Sequence, residues 1–566
     1  MIEILTDRFP TRNTTINTEE LKKGMKRLPA VLNQMGFSSL RKGQDGVVYH
    51  LLGGADVVCI LPTSLGKTAC FVVPTLCHEW KTIVISPLVA LIRDQMKGLW
   101  DKGIAAGELT SLNTPAQNLA TMKDWANGDL NFLYIAPERV NNEDFIQACN
   151  KTPPDCVVID EAHSISSWSD NFRPSYKSAG DFINKFNPKV VAAFTATCPA
   201  PVEQDIRWVL GLKTAHKIVY YPRRTNLKLT SRPLRNNYDL LQDIRQVDGS
   251  TLIYCTTIKK VEEIAEELGK FSSEPIGFFH GQLSPATKKH QQDSFINGSV
   301  RVMLATSAFG MGIDKPDIRH VIERDLSSSV EAMTQQLGRA SRDGKDALCV
   351  TYYSDDSVKT QEFFLRNSYP VKSDIVSVYN AIRSTADNNG KCFATKSQIA
   401  SVAGASNFQI DSILANLTSE NIVRRSKDKD CLTKIKVLIP PNGSDDKYDL
   451  WIAQAEECGE YGDSTTLYLD LEEFSEKLGF SSTQTPKKWL TQWSREKRIH
   501  LELPARLGPL EVLGNCDTID FARLARRREE AHRKLQEVIE YTSIPDDEKH
   551  AFIEEKLGIA KSSTDQ

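Results

Sequence analysis

Short apolar runs alternate with longer amphipathic stretches between about residues 30 and 215. The runs are rich in β-branched residues, and each is followed by a polar loop and then by a segment of helical periodicity. Such runs are typical of parallel strands that are buried on both faces. The alternation predicts a doubly wound α/β domain with ligand sites at the carboxyl ends of its strands. The predicted strands are DVVCILP (56–62), TIVISPL (82–88), NFLYIAP (131–137), CVVIDEAH (156–163) and KVVAAFTAT (189–197).

The same alternation starts again after the segment RPLRNNYD. Two sheets of similar size in tandem predict two α/β lobes, 30–213 and 214–369, with a cleft between them. Residues 1–29 form a separate N-terminal segment in this division. The predicted strands of the second lobe are STLIYCTT (250–257), PIGFFHG (275–281), VRVMLAT (300–306), RHVIERD (319–325) and ALCVTYY (347–353).

The pattern becomes mainly helical after about residue 370. Three helical segments followed by the ribbon RRSKDKDCLTKIKVLIP predict a winged-helix-like domain at 370–440. Ten basic and six acidic residues in 372–440 favour DNA binding over a plain helical regulatory domain. A second, more acidic domain of this kind is predicted at 441–518, with IHLELPARLGPLEVLG as its ribbon. The remainder, 519–566, predicts two charged helices that are broken at Pro545.

Composition narrows the function classes. The chain has 566 residues, of which 40% are hydrophobic and 25% charged, as in ordinary globular proteins. Its 70 Lys and Arg against 73 Asp and Glu give a net charge of −3, which excludes a histone-like polycation but allows a local basic groove. The 12 cysteines include no C-x-x-C pair, and the chain has no signal-like start and no apolar run long enough to span a bilayer. We therefore expect a soluble protein that is cytoplasmic or nuclear, not secreted, and has no membrane partner.

The segment PTSLGKT, 62–68, lies between a buried strand and a predicted helix. A phosphate-binding loop needs backbone N–H groups at a helix N-terminus, a lysine for the phosphates and a hydroxyl for Mg²⁺. Gly66, Lys67 and Thr68 supply the end of that pattern, although Ser64 and Leu65 stand where such loops commonly have glycine. The candidate nucleotide-binding residues here are Thr63, Ser64, Gly66, Lys67 and Thr68, with Thr68 also a Mg²⁺ ligand.

The segment DEAH, 160–163, ends the predicted strand VVID. Asp160 can hold Mg²⁺ through water, and Glu161 can orient and deprotonate an attacking water, acting mainly through position and charge. The alternative is an acidic strand end that only caps a helix. Because Lys67 belongs to the same predicted lobe, the pair favours a nucleotide-hydrolysing site.

Together these motifs, in order from Gly36 to about Tyr353, resemble the RecQ family of superfamily 2 DNA helicases. This resemblance implies two RecA-like lobes, ATP and Mg²⁺ as ligands, and DNA as the partner. LRKGQ (40–44) is similar to the family's adenine-recognition motif, which implies nucleotide contacts by Arg41 and Gln44. SPL through DQ (86–95) and APER (136–139) resemble motifs that line the single-strand track, which implies DNA contacts by Ser86 and Arg139.

The segment HSISSWSDNFRP, 163–174, is similar to the aromatic-rich loop that links DNA engagement to hydrolysis in the family. Trp168 and Phe172 offer faces on which bases can stack, and Arg173 offers phosphate or cation–π contact. The alternative is that both aromatic side chains are buried in the core. The surrounding Ser, Asp and Asn residues favour a surface position.

Two segments of the second lobe complete the resemblance. AFGMGIDKP (308–316) is similar to motif V, which implies nucleotide contacts by Gly312 and Asp314. QQLGRASRDG (335–344) is similar to motif VI, and by that resemblance Arg342 is the arginine finger, with Arg339 beside it. An arginine can stabilise charge that is spread over transferring phosphoryl oxygens. Because Lys67 lies on the other lobe, hydrolysis should require closure of the cleft.

The chain departs from the family in several places. Gln336 replaces a common glutamate and Glu323 a frequent histidine. A four-cysteine zinc module is not evident, since Cys349, Cys392 and Cys431 lie about forty residues apart. The C-terminal segment faintly resembles that module's hairpin without its cysteines, so we expect no zinc. Its helices should be held by apolar packing of Leu535, Val538, Ile539, Phe552, Ile553 and Leu557.

The resemblance implies an ATP- and Mg²⁺-dependent helicase that unwinds DNA 3′ to 5′ and binds single-stranded and partly duplex DNA. Two other functions stay open: an RNA helicase or duplex translocase of the same superfamily, and a nucleotide-gated DNA-binding scaffold without turnover. Intact Lys67, Glu161 and Arg342 argue against the scaffold. The pathway, whether repair, recombination or defence, is left open by the sequence.

Overall fold

The structure is a computed structural model of the chain. It describes residues 12, 15–62, 65–87, 89–110, 113, 115–166, 174–272, 274–310, 315–388, 390–425, 432–443, 446–461, 466–478, 483–502 and 510–559. These residues form two compact units. The first comprises residues 1–358 and 534–566, and the second comprises residues 359–533.

The N-terminal part of the first unit is built on a seven-stranded sheet in which all strands run parallel. Its strand order is β3-β4-β2-β5-β6-β1-β7. The strands are β1 Val57–Ile60, β2 Thr82–Ile85, β3 Ala106–Leu109, β4 Phe132–Ile135, β5 Cys156–Ile159, β6 Val190–Thr195 and β7 His216–Val219. The helices are α1 Thr18–Met35, α2 Gln44–Leu52, α3 Lys67–His78, α4 Val89–Trp100, α5 Pro115–Asn127, α6 Glu143–Lys151, α7 Lys177–Phe186 and α8 Ala200–Val209.

Alternation along β1 shows how this sheet is buried on both sides. Val57 and Cys59 belong to one apolar cluster, whereas Val58 and Ile60 belong to another. Successive side chains of a strand point to opposite faces, so the two clusters lie on the two faces of the sheet. This burial explains why the strand sequences are continuously apolar.

A second, six-stranded parallel sheet follows in the same unit, with the order β10-β11-β9-β12-β13-β8. The strands are β8 Leu227–Pro233, β9 Ser250–Tyr254, β10 Ile276–Phe279, β11 Val302–Ala305, β12 Ile318–Glu323 and β13 Ala347–Tyr353. The helices are α9 Tyr238–Gln246, α10 Ile258–Phe271, α11 Pro285–Ile296 and α12 Val330–Leu337. The predicted pair of α/β lobes is therefore confirmed.

All ten strands predicted from apolar runs are present, and three further strands were missed. The sequence of β3, AGEL, contains no β-branched residue. In β7 the burial alternates between half-buried and exposed positions, as suits a strand at the sheet edge. The third missed strand, β8, also lies at an edge and is polar over its second half. β7 and β8 lack the continuous apolar signal because their faces are only partly covered.

The second unit contains two small antiparallel sheets with helices. The chain passes from one unit to the other within α13 Asp355–Ser368 and again within α20 Phe521–Ser543. The remaining helices are α14 Lys372–Ser384, α15 Lys396–Ala403, α16 Asn407–Ser419, α17 Asp446–Cys458, α18 Leu471–Lys477 and α19 Gln484–Arg495. The strands are β14 Lys391–Cys392, β15 Val423–Arg425, β16 Thr433–Val437, β17 Glu460–Tyr461, β18 Thr466–Leu469, β19 Ile499–Glu502 and β20 Leu510–Val512.

The two predicted ribbons are wrong in their pairing. β15 pairs with β20, in the order β14-β20-β15, whereas β16 pairs with β18 and β19 in the order β17-β18-β16-β19. Strands that are close in sequence thus enter different sheets. Burial decides the partner: Val423 and Leu510 join the cluster around α14 and α16, whereas Ile435 joins the cluster around Trp451 and Trp493. The second small sheet is therefore inserted between two strands of the first.

The last helix, α21 Lys549–Lys556, packs with the end of α20 onto the second lobe of the first unit. Val538, Tyr541, Phe552 and Ile553 belong to the same apolar cluster as the buried strand residues of that lobe. The predicted inward face is confirmed, since Leu535 is buried and Ile539 and Leu557 pack against the cluster. Among the described helices, none combines the length and the apolar character that a membrane crossing needs.

Candidate nucleotide site

The end of the phosphate-binding loop is built by the junction of β1 and α3. Helix α3 begins at Lys67, and its N-cap is Gly66, which has a φ of 78°. This left-handed conformation favours glycine, because a Cβ atom is strained there. Among the described residues no side chain caps the helix, so the positive end of its dipole is available to an anion. Thr63 and Ser64 lie outside the described residues.

Gln44 lies directly against this loop. Its amide nitrogen donates to the carbonyl oxygens of Leu65 at 2.7 Å and Gly66 at 3.1 Å, and its Oε1 accepts from the N–H of Arg41 at 2.9 Å. The side chain is buried, whereas Arg41 is exposed. Both amide hydrogens of Gln44 are thus used by the loop, so a bidentate contact to adenine would require them to be released. The adenine contact stays a prediction.

The two carboxylates follow β5, which lies two strands from β1 in the sheet. The Nζ of Lys67 lies 3.3 Å from the Oε1 of Glu161, and the Nδ1 of His163 lies 3.3 Å from its Oε2. Glu161 has a φ of 48°. A non-glycine residue in this region is strained and persists only where its surroundings fix it, which is common at functional sites.

Charge and burial act on each ionisable group of this site. Burial lowers the pKa of Lys67, but the charges of Glu161 and Asp160 outweigh that effect and raise it. Burial, reinforced by the charge of Glu161, raises the pKa of Asp160. Burial also opposes ionisation of Glu161, but Lys67 and His163 hold its pKa below the usual value. The site therefore favours an ionised Glu161 beside a charged Lys67.

Ser86 joins this site rather than an exposed surface. It directly follows β2 in a fully buried position, and its hydroxyl lies 3.4 Å from the Oδ2 of Asp160. A hydroxyl in that position is not accessible to DNA in this conformation. The structure therefore groups Ser86 with the carboxylates, although the sequence placed it on the DNA track.

The donor set at the strand ends fits Mg²⁺. Asp160 offers a carboxylate and Thr68 a hydroxyl at the start of α3. Mg²⁺ prefers oxygen ligands and is commonly bound by one or two protein groups together with substrate phosphates and water. Among the described residues, no cluster of three or more His, Cys, Asp or Glu side chains is arranged to hold a metal ion by itself. The expectation that no zinc is bound stays a prediction.

The second lobe contributes two arginines from the turn that follows α12. The charge of Arg339 acts on both Lys67 and Glu161. The guanidinium of Arg339 also lies close to Gly310: a Cβ atom added to this glycine would lie 3.3 Å from Nη2. Arg342 acts electrostatically on Arg339 and on Tyr254. Arg339 thus acts on Lys67 and Glu161 across the two lobes, whereas by the resemblance Arg342 is the finger. Gly312 and Asp314 lie outside the described residues.

The residues that flank the predicted DNA-contacting loop 167–173 make polar contacts that were not predicted from the sequence, and one of these contacts reaches Asp160. Trp168, Phe172 and Arg173 lie outside the described residues, but the chain on either side of them is described. Before this segment, the Ser166 hydroxyl donates to Asp205 at 2.6 Å. After it, the buried Tyr176 hydroxyl donates to the backbone carbonyl of Asp160 at 2.9 Å.

Neighbouring polar contacts join two further motifs to the nucleotide site. The Ser175 hydroxyl donates to Glu138, which lies beside Arg139 in the short helix Pro137–Arg139. The Nδ1 of His163 lies 3.1 Å from Oγ1 of Thr195, at the end of β6. The polar character of these residues is visible in the sequence, but it does not say which partners they meet.

These elements define a class of protein: two parallel-sheet lobes, a phosphate-binding loop with its carboxylates on one, and arginines supplied by the other. Two family models match the same two lobes. The DEAD/DEAH box helicase model matches residues 41–206, and the helicase conserved C-terminal domain model matches residues 236–344. The chain belongs to the RecQ family of superfamily 2 helicases.

The curated relatives agree with this assignment. An ATP-dependent DNA helicase RecQ of Haemophilus influenzae is 35% identical over 58% of this chain and 53% of its own length. A probable ATP-dependent DNA helicase RecS of Bacillus subtilis is 30% identical over 64% of this chain and 74% of its own length. RecQ of Bacillus subtilis is 34% identical over 59% of this chain and 57% of its own length. The chain thus spans little more than half the length of both RecQ proteins.

The matches among solved structures are more distant in sequence. The helicase MrfA bound to DNA is 16% identical, with a TM-score of 0.49 over 75% of this chain and 62% of that chain. Dbp5 of Saccharomyces cerevisiae bound to Gle1 and IP6 is 19% identical, with a TM-score of 0.47 over 62% of this chain and 93% of that chain.

Proposed function

We propose that the protein is an ATP- and Mg²⁺-dependent DNA helicase that moves 3′ to 5′ on single-stranded DNA and unwinds partly duplex DNA. The observation that carries this proposal is the 3.3 Å contact between Lys67 and Glu161 at the loop end, with the charge of Arg339 reaching both from the other lobe. Membership of the RecQ family supports DNA as the substrate. For such a protein we propose an intracellular site of action, cytoplasmic or nuclear.

Each residue of the site has a separate task in hydrolysis. Lys67 and the N–H groups at the start of α3 bind the phosphates of ATP, and Lys67 is then drawn from Glu161 towards them. Glu161 orients a water molecule and accepts its proton, while Arg339 and Arg342 stabilise the charge that develops on the transferring phosphoryl group. When bound through Thr68 and Asp160, Mg²⁺ supplies further charge neutralisation.

The location of the arginines couples hydrolysis to movement. Since the arginines lie on a different lobe from Lys67, all of these side chains can contact the nucleotide together only in one arrangement of the two lobes. ATP binding and product release would therefore alternate between two arrangements of the lobes. Bases stacked on Trp168 and Phe172 would report the presence of DNA to the carboxylates through the Tyr176 contact to Asp160.

A second candidate is an RNA helicase of the same superfamily. One relative, from Acanthamoeba polyphaga mimivirus, is named a putative ATP-dependent RNA helicase and is 34% identical over 62% of this chain and 65% of its own length. A third candidate, the scaffold without turnover, is disfavoured by the intact contact between Lys67 and Glu161.

A steady-state ATPase assay with no nucleic acid, single-stranded DNA or single-stranded RNA separates the three candidates. We expect stimulation by DNA. Stimulation by RNA alone would support the second candidate, and no turnover in any condition would support the scaffold. Unwinding of forked, 3′-tailed and 5′-tailed duplexes, compared side by side, then tests the polarity: the 3′-tailed substrate should be unwound and the 5′-tailed one should not.

A further inference from the structure

The turn that carries Arg339 and Arg342 is held by a residue from the segment between the two sheets. The guanidinium of Arg224 donates to three backbone carbonyl oxygens of this turn: Gly338 at 3.2 Å, Ala340 at 2.8 Å and Ser341 at 2.6 Å. These contacts bracket Arg339 and end immediately before Arg342. We call residues 338–342 the arginine turn.

The carbonyl groups that Arg224 binds have a specific physical need for a donor. Helix α12 ends at Leu337, so the carbonyls that follow have no partner from the helix itself. A planar guanidinium has five N–H donors in a fixed fork and also complements the negative end of the helix dipole. One arginine can therefore satisfy several carbonyls at once, which the compact ammonium of a lysine does less well.

The arginine turn also contains backbone strain. Ser341 is fully buried and has a φ of 44°, a left-handed conformation that is unfavourable for a residue other than glycine. Its side chain is fixed by Arg319, whose Nη1 donates to the Ser341 hydroxyl oxygen at 3.0 Å. Its backbone carbonyl is fixed by Arg224, and Asn226 donates to the carbonyl of Lys345 at 2.9 Å just beyond the turn. The turn therefore keeps its conformation only because its neighbours define it.

Arg224 also interacts electrostatically with Arg342 of the arginine turn. Burial lowers the pKa of Arg224, and the positive charge of Arg342 lowers it further. The carbonyl contacts of Arg224 therefore act against the electrostatic repulsion between these two like charges.

We infer that Arg224 is a positioning residue, which holds the arginine turn so that Arg339 and Arg342 face the nucleotide on the other lobe. It does not contact the reacting atoms; it acts through the three carbonyls. The expected effect on kcat rests on the proposed function. The effect on the conformation of the arginine turn does not, because it can be measured in the protein without nucleotide. The alternative is that Arg224 only caps α12 and stabilises the fold.

The variant Arg224→Gln separates these roles when it is compared with Arg224→Lys and with Arg223→Gln. Arg223 is the adjacent arginine; it is exposed and pairs with Glu554 of α21 instead of the turn, at 2.5 Å. We expect Arg224→Gln to lower kcat for DNA-stimulated hydrolysis by at least tenfold with KM for ATP changed less than threefold, because the finger acts on the transition state. Arg224→Lys should recover part of the loss, and Arg223→Gln should stay within twofold of the wild type.

Hydrogen exchange of the full-length protein without nucleotide provides a readout that does not depend on activity. Arg224→Gln should accelerate amide exchange in peptides covering 338–345 by at least tenfold, while peptides covering α3 and β5 stay unchanged. Unchanged exchange in the turn would overturn the inference whether or not the wild type hydrolyses ATP. A loss of kcat that follows a lowered melting temperature, with general acceleration of exchange and no recovery by lysine, would assign Arg224 to the fold alone. An inactive wild type with accelerated turn exchange would overturn the proposed function but not the positioning.

Discussion

The Nζ of Lys67 lies 3.3 Å from the Oε1 of Glu161, although the two residues are 94 positions apart in the chain. Both side chains are largely buried, at 11% and 15% exposure. The contact exists because β1 and β5 run parallel, so that the loops after their carboxyl ends meet at one edge of the sheet. A charged lysine beside an ionised glutamate holds each group in the ionisation state that the proposed hydrolysis needs.

Separate substitutions of these two residues should both abolish hydrolysis, but with different effects on binding. Lys67→Ala removes a phosphate contact, so ATP should bind more weakly. Glu161→Gln keeps the shape but loses the proton acceptor, so ATP should bind and remain unhydrolysed, with a rate loss on the order of 100-fold or more. Titration with a fluorescent ATP analogue and steady-state turnover measure the two effects. Substantial turnover in both variants, with similar nucleotide affinities, would show that the site lies elsewhere.

The variant Trp168→Ala should uncouple hydrolysis from DNA. Loss of the ring removes about 1–3 kcal/mol of base stacking. Basal hydrolysis should survive, while stimulation by single-stranded DNA and unwinding of a tailed duplex should fall. The matched control is Trp100→Ala, since Trp100 is 56% exposed on α4; it should leave DNA stimulation intact. A marked decrease in the melting temperature of Trp168→Ala would instead assign this ring to the core.

The variant Glu323→Gln should change how stability depends on pH. Glu323 is fully buried at the end of β12, where hydroxyls of Ser327 and Thr351 donate to its two oxygens. Burial raises its pKa from 4.5 to about 7. The unfolded chain therefore ionises first, so the free energy of unfolding falls as the pH rises from about 4.5 to 7 and stays reduced above that range. Between pH 4.5 and pH 8, the free energy of unfolding of the glutamine variant should therefore rise by about 3 kcal/mol relative to that of the wild type.

Urea unfolding at several pH values measures this difference. The tyrosine and cysteine neighbours of Glu323 stay neutral over the range, because burial raises the pKa of Tyr254 and Cys349 to about 12 and raises the pKa of Tyr541 well above its usual value. The control is Glu263→Gln, since Glu263 is exposed on α10, where it forms a surface ion pair with Lys259. A pH-independent difference between Glu323→Gln and the wild type would show that this carboxyl is not protonated in the folded chain.

The variant Phe552→Ala should destabilise the second lobe. Phe552 is 8% exposed in α21 and belongs to the apolar cluster of that lobe. Truncation of a buried phenylalanine typically costs about 3–5 kcal/mol. Phe271→Ala is the matched control, because Phe271 is 64% exposed at the end of α10 and should change stability by no more than about 0.5 kcal/mol. Equal effects of the two substitutions on urea unfolding would contradict the packing of α21 on this lobe.

Treatment with a strong chelator should leave the fold unchanged, because we expect the protein to bind no zinc. The C-terminal helices are held by apolar contacts and by Lys549, whose Nζ donates to the Ser231 hydroxyl at 2.8 Å and to the Tyr541 carbonyl at 2.9 Å. We expect the same melting temperature before and after strong chelation, and full activity once Mg²⁺ is restored. Stoichiometric zinc by elemental analysis, lost together with thermal stability, would show that distant cysteines form a site.

The amino-acid sequence by itself determined the two lobes and the candidate groups for nucleotide hydrolysis. Ten strands were predictable from their apolar runs. A strand that is covered on both faces must be continuously apolar, and that pattern is local in sequence; β10, at a sheet edge, has the run but alternates in burial. Lys67, Asp160 and Glu161 were identifiable because a phosphate loop and its carboxylates require fixed residue types directly after strands. Membership of the RecQ family followed from the same motifs.

The tertiary structure decided which residues meet across long distances in the sequence. In the folded chain the Ser86 hydroxyl contacts Asp160, β15 pairs with β20 instead of β16, and Arg224 donates to the carbonyls of the arginine turn. None of these has a local signal: a serine after a strand, a short polar strand and an arginine in a connecting segment are common everywhere. Their partners are chosen by burial and by the hydrogen-bonding needs of buried polar groups, which depend on the whole fold rather than on neighbouring residues.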